Sequence, residues 1–159
     1  MNPKEEELLD GSSIIESKIT VKPGQLLPTL ADDLSQLQAI SPHALAYLGD
    51  AVYELYIRSY YLLPPKRSQA YHRLVVAQVR AEAQALHLRS LTPYLTSTEL
   101  DIVRRGRNAA TKPPKRVNPE IYQQASSLET LVGYLYLTDY QRLTHLLHKL
   151  DFEQDSNEW

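Results

Sequence analysis

From residue 41 to residue 62 the chain reads SPHALAYLGDAVYELYIRSYYL, apolar on nearly every side when wound as a helix. Ser41 supplies an N-cap oxygen, and Pro42 suits the first helical position, where its missing N–H is not needed. Leu45, Leu48, Val52 and Leu55 form one stripe, while Ala46, Tyr47, Tyr53 and Ile57 line the opposite side. A helix this apolar belongs at the centre of a domain. Pro64-Pro65 forces a break after it. Ser68 then caps a second long helix to about Ser90, with Tyr71, Leu74, Val75, Ala85 and Leu86 inward and Arg73, Arg80 and His87 outward. Gln78 and Glu82 interrupt that inner stripe with polar groups.

Thr96 to Glu99 reads as a capping box opening a third helix, TELDIVRRG, which Gly106 is expected to end. A basic loop, RNAATKPPKRV, follows. Asn118-Pro119 repeats the cap-then-proline start for PEIYQQASSLETLVGYLYL, whose core stripe is Ile121, Leu128, Leu131 and Leu135. Asp139 begins a last helix with Leu143, Leu146, Leu147 and Leu150 on one face. Ahead of these, LLPTLADDLSQLQAIS is apolar enough for a short helix, and residues 1–25 are polar and aperiodic, a loose arm touching down near Ile14 or Ile19. No window alternates convincingly as a strand, so the expected fold class is all-α.

Two acids break the pattern. Asp50 lies about 170° from the Leu/Val stripe of its helix at roughly 100° per residue, and Glu129 about 110° from the stripe of its own. Each has a glycine close by, Gly49 before Asp50 and Gly133 one turn after Glu129. Glycine costs a helix interior about 1 kcal/mol relative to alanine, so it marks a close approach. The two helices are expected to cross at the glycines with Asp50 and Glu129 meeting near the crossing. Paired carboxylates repel, and a divalent cation, Mg²⁺ or Mn²⁺, removes the conflict. The plainer alternative is that each acid pairs separately with an arginine or caps a helix.

Charge changes the picture further. The net charge of −2 hides seven acids against three bases in residues 1–36, and four acids with no base in residues 151–159. Residues 37–150 hold fourteen Lys and Arg against eight Asp and Glu, a surplus of +6 that points to a polyanionic partner. Arg104, Arg105, Arg107, Lys112, Lys115 and Arg116 concentrate this surplus without an intervening acid, a density suited to phosphate contacts; a solvated basic loop is the plainer alternative. No aromatic is interleaved, which disfavours a single-strand stacking platform.

The chain has no cysteine, which excludes disulfides, thiolate zinc sites and thiol nucleophiles. No run approaches the roughly eighteen apolar residues of a membrane span, and the acidic N-terminus lacks a secretory layout, so no membrane association and a cytoplasmic location are expected. The five histidines lack metal-ligand spacing and are expected at the surface or at caps. Ser126-Ser127 has no elbow motif, and no phosphate-binding glycine loop occurs.

Three segments together resemble the ribonuclease III family: LGDAV at 48–52, RGRNA at 105–109 and LETLVGYLYL at 128–137, in the family's order and spacing over roughly residues 40–150. The resemblance is closer to its reduced bacterial branch, which consists of the catalytic domain, so no double-stranded-RNA-binding domain is expected after residue 159. It implies a ribonuclease III-type helical domain at 37–150, between a polar, partly disordered arm at 1–36 and an acidic tail at 151–159. It implies Mg²⁺-dependent hydrolysis of double-stranded RNA, with Asp50 and Glu129 as catalytic metal ligands and Mn²⁺ as a substitute. Arg105, Arg107 and Asn108 fall in the matching basic segment, and together with Arg104, Lys112, Lys115 and Arg116 they are the expected RNA-binding residues. Two further acids of the full-length enzymes are replaced by His43 and Ser126, as in the reduced branch. The resemblance also implies a homodimer that matures 23S ribosomal RNA precursor, with a ribosomal protein assisting. A non-catalytic scaffold for structured RNA is the alternative.

Overall fold

A computed structural model describes residues 19–20, 29–30 and 34–154. The chain divides into two compact units, 1–39 and 40–159. In the first, β1 (Ile19–Thr20) pairs antiparallel with β2 (Thr29–Leu30), Ile19 opposite Leu30, and a short helix α1 spans Leu34–Ala39. A two-residue ladder leaves the class all-α. The contact expected at Ile14, and the last part of the acidic tail, lie outside the described residues.

The second unit is helical throughout. Helix α2 (Pro42–Tyr60) begins as its first residues dictate, with the Ala44 N–H donating to Ser41 Oγ at 3.1 Å and Pro42 in the first turn. Its buried residues are Leu45, Gly49, Tyr53 and Ile57, whereas Leu55 is 51% exposed. The expected Leu45–Leu48–Val52–Leu55 face is thus not the one that packs. On a helix apolar all round, periodicity does not distinguish the faces. The face carrying glycine won because it lets a second backbone come closest.

The expected single helix over 68–90 is two, α3 (Ser68–Val79) and α4 (Ala81–Leu91), separated at Arg80 with ψ at 155°. The residue capping α3 is Arg67 rather than Ser68. One non-helical residue shifts the phase of everything after it. Leu86 therefore turns outward, 58% exposed, and His87 turns inward among the core, reversing both expectations. Gln78 is buried as the broken stripe suggested, and Glu82 is exposed. His87 is satisfied there: its Nδ1 lies 2.7 Å from the Tyr53 hydroxyl, which also donates to the Gln78 carbonyl at 3.0 Å.

After a 3₁₀ turn at Thr92–Tyr94, α5 (Ser97–Ala109) starts with both halves of the capping box: Glu99 N–H to Thr96 Oγ1 at 3.2 Å, and Thr96 N–H to Glu99 Oε2 at 2.9 Å. Glu99 is also buried and paired with Arg142 at 2.8 Å, which lowers its carboxyl below the usual range. Gly106 does not end α5. It lies inside the helix, where a Cβ would come 2.5 Å from Thr130 Oγ1, so it is a contact glycine rather than a cap.

Helix α6 (Pro119–Thr138), capped by Asn118 accepting from the Glu120 N–H, is the most enclosed element, packing chiefly on α2 and then on α5 and α4. Helix α7 (Tyr140–Leu147) is capped by Asp139 and buries Leu143, Leu146 and Leu147, with Leu150 just beyond. The following segment also joins the core. Phe152 is buried, with its ring edge-on to Tyr60 and His87, and Tyr61 donates its hydroxyl proton to the Glu153 carbonyl at 2.6 Å.

Candidate active site

The site is built where α2 and α6 cross. A Cβ on Gly49 would lie 1.7 Å from the Glu129 carbonyl oxygen, and one on Gly133 would lie 2.0 Å from the Leu45 carbonyl oxygen. No side chain of any size fits between these backbones, so the two helices touch main chain to main chain. Asp50 follows one of these glycines directly and Glu129 precedes the other by one turn. The crossing therefore sets both carboxylates on the wall of one cavity of about 210 Å³.

Asp50 is exposed on that wall rather than enclosed among apolar helices, because the apolar face of α2 opposite the crossing is itself open. Glu129 lies deeper. Burial first, and then the negative charge of Asp50, push its carboxyl up to about 7, while the polar Gln84 side chain works in the other direction. Asp50 is also raised, by burial and by Glu54 one turn along. Among the described residues neither acid has a lysine or arginine partner. The alternative in which each pairs with its own arginine is not what the structure shows.

His43 and Ser126 lie on the same wall, two turns before Asp50 and one turn before Glu129. His43 is therefore not merely a surface residue. Apart from Pro42, the remaining lining is small or hydroxylated: Ala46, Gly106, Ala109 and Ala110, with Tyr47, Tyr122 and Thr130. Gly106, Ala109 and Ala110 bring the end of α5 to the cavity edge. Arg104, Arg105, Arg107 and Asn108 thus stand on the last turns of that helix, and the basic loop begins only after Ala109. Arg104 pairs with Asp101. Arg105, Arg107, Lys112, Lys115 and Arg116 are exposed and form no ion pair among the described residues.

One residue that periodicity did not single out is Gln84. It is 1% exposed, on the first turn of α4, and its side-chain Nε2 donates to the Val79 carbonyl at 3.2 Å. The only sequence signal for it was a polar residue between two inward alanines, Ala83 and Ala85.

An all-α domain with two unneutralised carboxylates in a cavity, flanked by a basic helix end, is of the kind that acts on phosphodiesters. Comparison with known proteins makes the class specific: residues 43–140 match the Ribonuclease III domain, and the chain belongs to the ribonuclease III family. It is an endoribonuclease of that type. The Mini-ribonuclease 3 of Synechocystis is 62% identical over 115 residues, covering 72% of this chain and 80% of the relative. That of Thermosynechococcus vestitus is 54% identical over 127 residues, covering 80% and 83%. An X-ray crystal structure of a Fusobacterium nucleatum protein superposes with a TM-score of 0.66 at 28% identity, covering 75% of this chain and 96% of that one.

Proposed function

We propose that the chain cleaves double-stranded RNA in a Mg²⁺-dependent reaction at the cavity shared by Asp50 and Glu129, with Mn²⁺ able to take the place of Mg²⁺. The observation that carries this reading is the unbalanced charge. Two carboxylates face one cavity, one of them raised to about 7 in part by the other, and no basic side chain among the described residues offsets them. Every polar donor beside them, apart from His43, is an oxygen, the set that suits a hard divalent cation. When bound, Mg²⁺ supplies positive charge against the reacting phosphate and acidifies water.

The chain's own residues do the rest. Asp50 and Glu129 hold the cation, and the glycine crossing keeps their backbones in register. The alanines at 46, 109 and 110 leave the cavity edge low enough for a sugar-phosphate backbone to approach. Arg105, Arg107 and Asn108 on the last turn of α5, with Lys112, Lys115 and Arg116 beyond, take phosphates on either side of the scissile one. Such contacts position the duplex without reading sequence.

Cutting both strands calls for two sites, hence a two-fold homodimer. Its support is the outward face of α2, where Tyr47, Ala51 and Leu55 follow one another at four-residue spacing and the two large side chains are 86% and 51% exposed. The natural substrate suggested by the family likeness is a 23S ribosomal RNA precursor, with a ribosomal protein assisting. Among the described residues no helix is long and apolar enough to cross a membrane.

The deciding experiment incubates labelled duplex RNA with wild type, Asp50→Asn and Glu129→Gln, with and without Mg²⁺. Cleavage is expected only for the wild type with Mg²⁺, while both variants keep wild-type circular dichroism. Normal cleavage by either variant removes the proposal, and binding without cleavage by the wild type returns the scaffold alternative.

A further inference from the structure

Serine and threonine inside a helix ordinarily turn the hydroxyl back onto the carbonyl four residues earlier. On α6 three of them do so: Ser127 Oγ donates to the Gln123 carbonyl at 2.7 Å, Thr130 Oγ1 to the Ser126 carbonyl at 2.7 Å and Thr138 Oγ1 to the Tyr134 carbonyl at 2.8 Å. Ser126 is the exception. Its hydroxyl has no hydrogen-bond partner among the described residues, and the side chain lines the cavity that holds Asp50 and Glu129. Tyr122, one turn earlier on α6, and His43, in the first turn of α2, line the same cavity. Their side chains also lack a hydrogen-bond partner among the described residues.

These three side chains stand on two sides of the acid pair. Gly49 meets Glu129 and Gly133 meets Leu45, so four residues forward on α6 match four residues back on α2, and the helices run antiparallel. His43, seven residues before Asp50, therefore lies off one side of the pair. Ser126 and Tyr122, three and seven residues before Glu129, lie off the other. The cation does not call on them: two carboxylates already balance a divalent charge. Among the described residues no three His, Asp or Glu side chains are grouped to share an ion. What a hydroxyl or an imidazole N–H calls for is an oxygen to donate to, and here the protein offers none.

We propose that His43, Tyr122 and Ser126 contact the substrate itself, donating hydrogen bonds to phosphate and ribose oxygens of the strand being cut, on either side of the cation. This rests on the reading of Asp50 and Glu129 as the cation-holding pair. The basic side chains at the end of α5 and beyond hold the duplex by charge, whereas these three place the strand within the cavity by directed bonds. Sugar and phosphate are the groups within reach, because the base edges of an A-form duplex are paired and its major groove is too deep and narrow for side chains to read.

The test makes two measurements on wild type, His43→Ala, Tyr122→Phe, Ser126→Ala and Glu129→Gln. Single-turnover cleavage of labelled duplex RNA with Mg²⁺, over a range of protein concentrations, gives the half-saturating concentration. Titration with Mn²⁺ in the absence of RNA, followed by electron paramagnetic resonance, gives the cation affinity. His43→Ala, Tyr122→Phe and Ser126→Ala are each expected to raise the half-saturating concentration by about 3–10-fold, the effect of one lost hydrogen bond, and to keep wild-type Mn²⁺ affinity. Glu129→Gln is expected to lose Mn²⁺ binding. Half-saturation unchanged in all three donor variants overturns the proposal. So does a fall in Mn²⁺ affinity in Ser126→Ala, which would make that hydroxyl a cation ligand. Equal Mn²⁺ affinity in wild type and Glu129→Gln overturns instead the metal reading on which the proposal rests. Tyr122→Phe removes one oxygen at the cavity wall and keeps the ring, so its result decides the matter if an alanine variant does not fold.

Discussion

Replacing Gly49 with alanine adds one carbon at the closest point of the molecule. On an open helix the change is favourable by about 1 kcal/mol, because alanine is the better helix former. Here the new Cβ would stand 1.7 Å from the Glu129 carbonyl oxygen and 2.7 Å from its carbonyl carbon, both backbone atoms that no rotamer change can move. An ordinary contact begins near 3.4 Å, so α2 and α6 must part by about 1.7 Å. A gap of 0.5–1 Å already forfeits a quarter to a half of a packing contact's attraction. The loss therefore runs along the whole crossing, including Leu45 and Tyr53 of α2 and Leu128 and Leu131 of α6. Overpacking in cores costs about 1–3 kcal/mol where side chains can yield. With backbone against backbone we expect about 3–5 kcal/mol net of the propensity gain, or roughly 10–20 °C in melting temperature for a domain of this size.

The assay is thermal melting by far-ultraviolet circular dichroism. Because the displaced atoms belong to Glu129, cleavage by folded Gly49→Ala should fall well below wild type at temperatures under its melt. A Gly49→Ala protein that melts at or above the wild type would show that the crossing is not where the helices are held, and the placement of the two acids would lose its cause.

Glu129 makes stability depend on pH in a stated direction. Its carboxyl is raised from an ordinary 4.5 to about 7 in the folded chain, which therefore binds the proton more tightly than the unfolded chain does. Without metal, stability falls as pH rises from about 4.5 to about 7, by up to about 3 kcal/mol, and is level in this respect above that. Glu129→Gln should remove most of the slope and unfold at higher denaturant than wild type at pH 8; parallel pH profiles for the two proteins refute the coupling. The basic segment has its own signature in salt. If it contacts four to six phosphates, log affinity for duplex RNA falls with log salt at roughly 0.7–0.9 per contact, and Lys115→Ala with Arg116→Ala lowers that slope by up to about two contacts. A slope unchanged by the double substitution places the duplex elsewhere.

Much of the fold was legible because it is written in local chemistry. Ser41-Pro42, Thr96 with Glu99, and Asn118-Pro119 start helices where they stand, since a cap satisfies donors within four residues of itself. The leucines of α7 name their buried face because only one face is apolar. The paired glycines announced a close crossing because nothing else in a helix repays their entropy. These are properties of a segment and its immediate neighbours.

Other features were settled only by the assembled chain. Helix α2 had apolar residues on every side, and the choice of the Leu45–Gly49–Tyr53–Ile57 face followed from where α6 could come closest. No proline or glycine marks the break at Arg80, so the inward turn of His87 and Gln84 had no local cause to be read. Gly106 looked like a helix end and proved to be a contact with Thr130, since the same missing side chain serves both purposes. A helix end is decided within a few residues, whereas a packed face and a buried amide are decided by partners dozens of residues away. That is why the acids were visible in the sequence, and the packed faces of the helices that carry them were not.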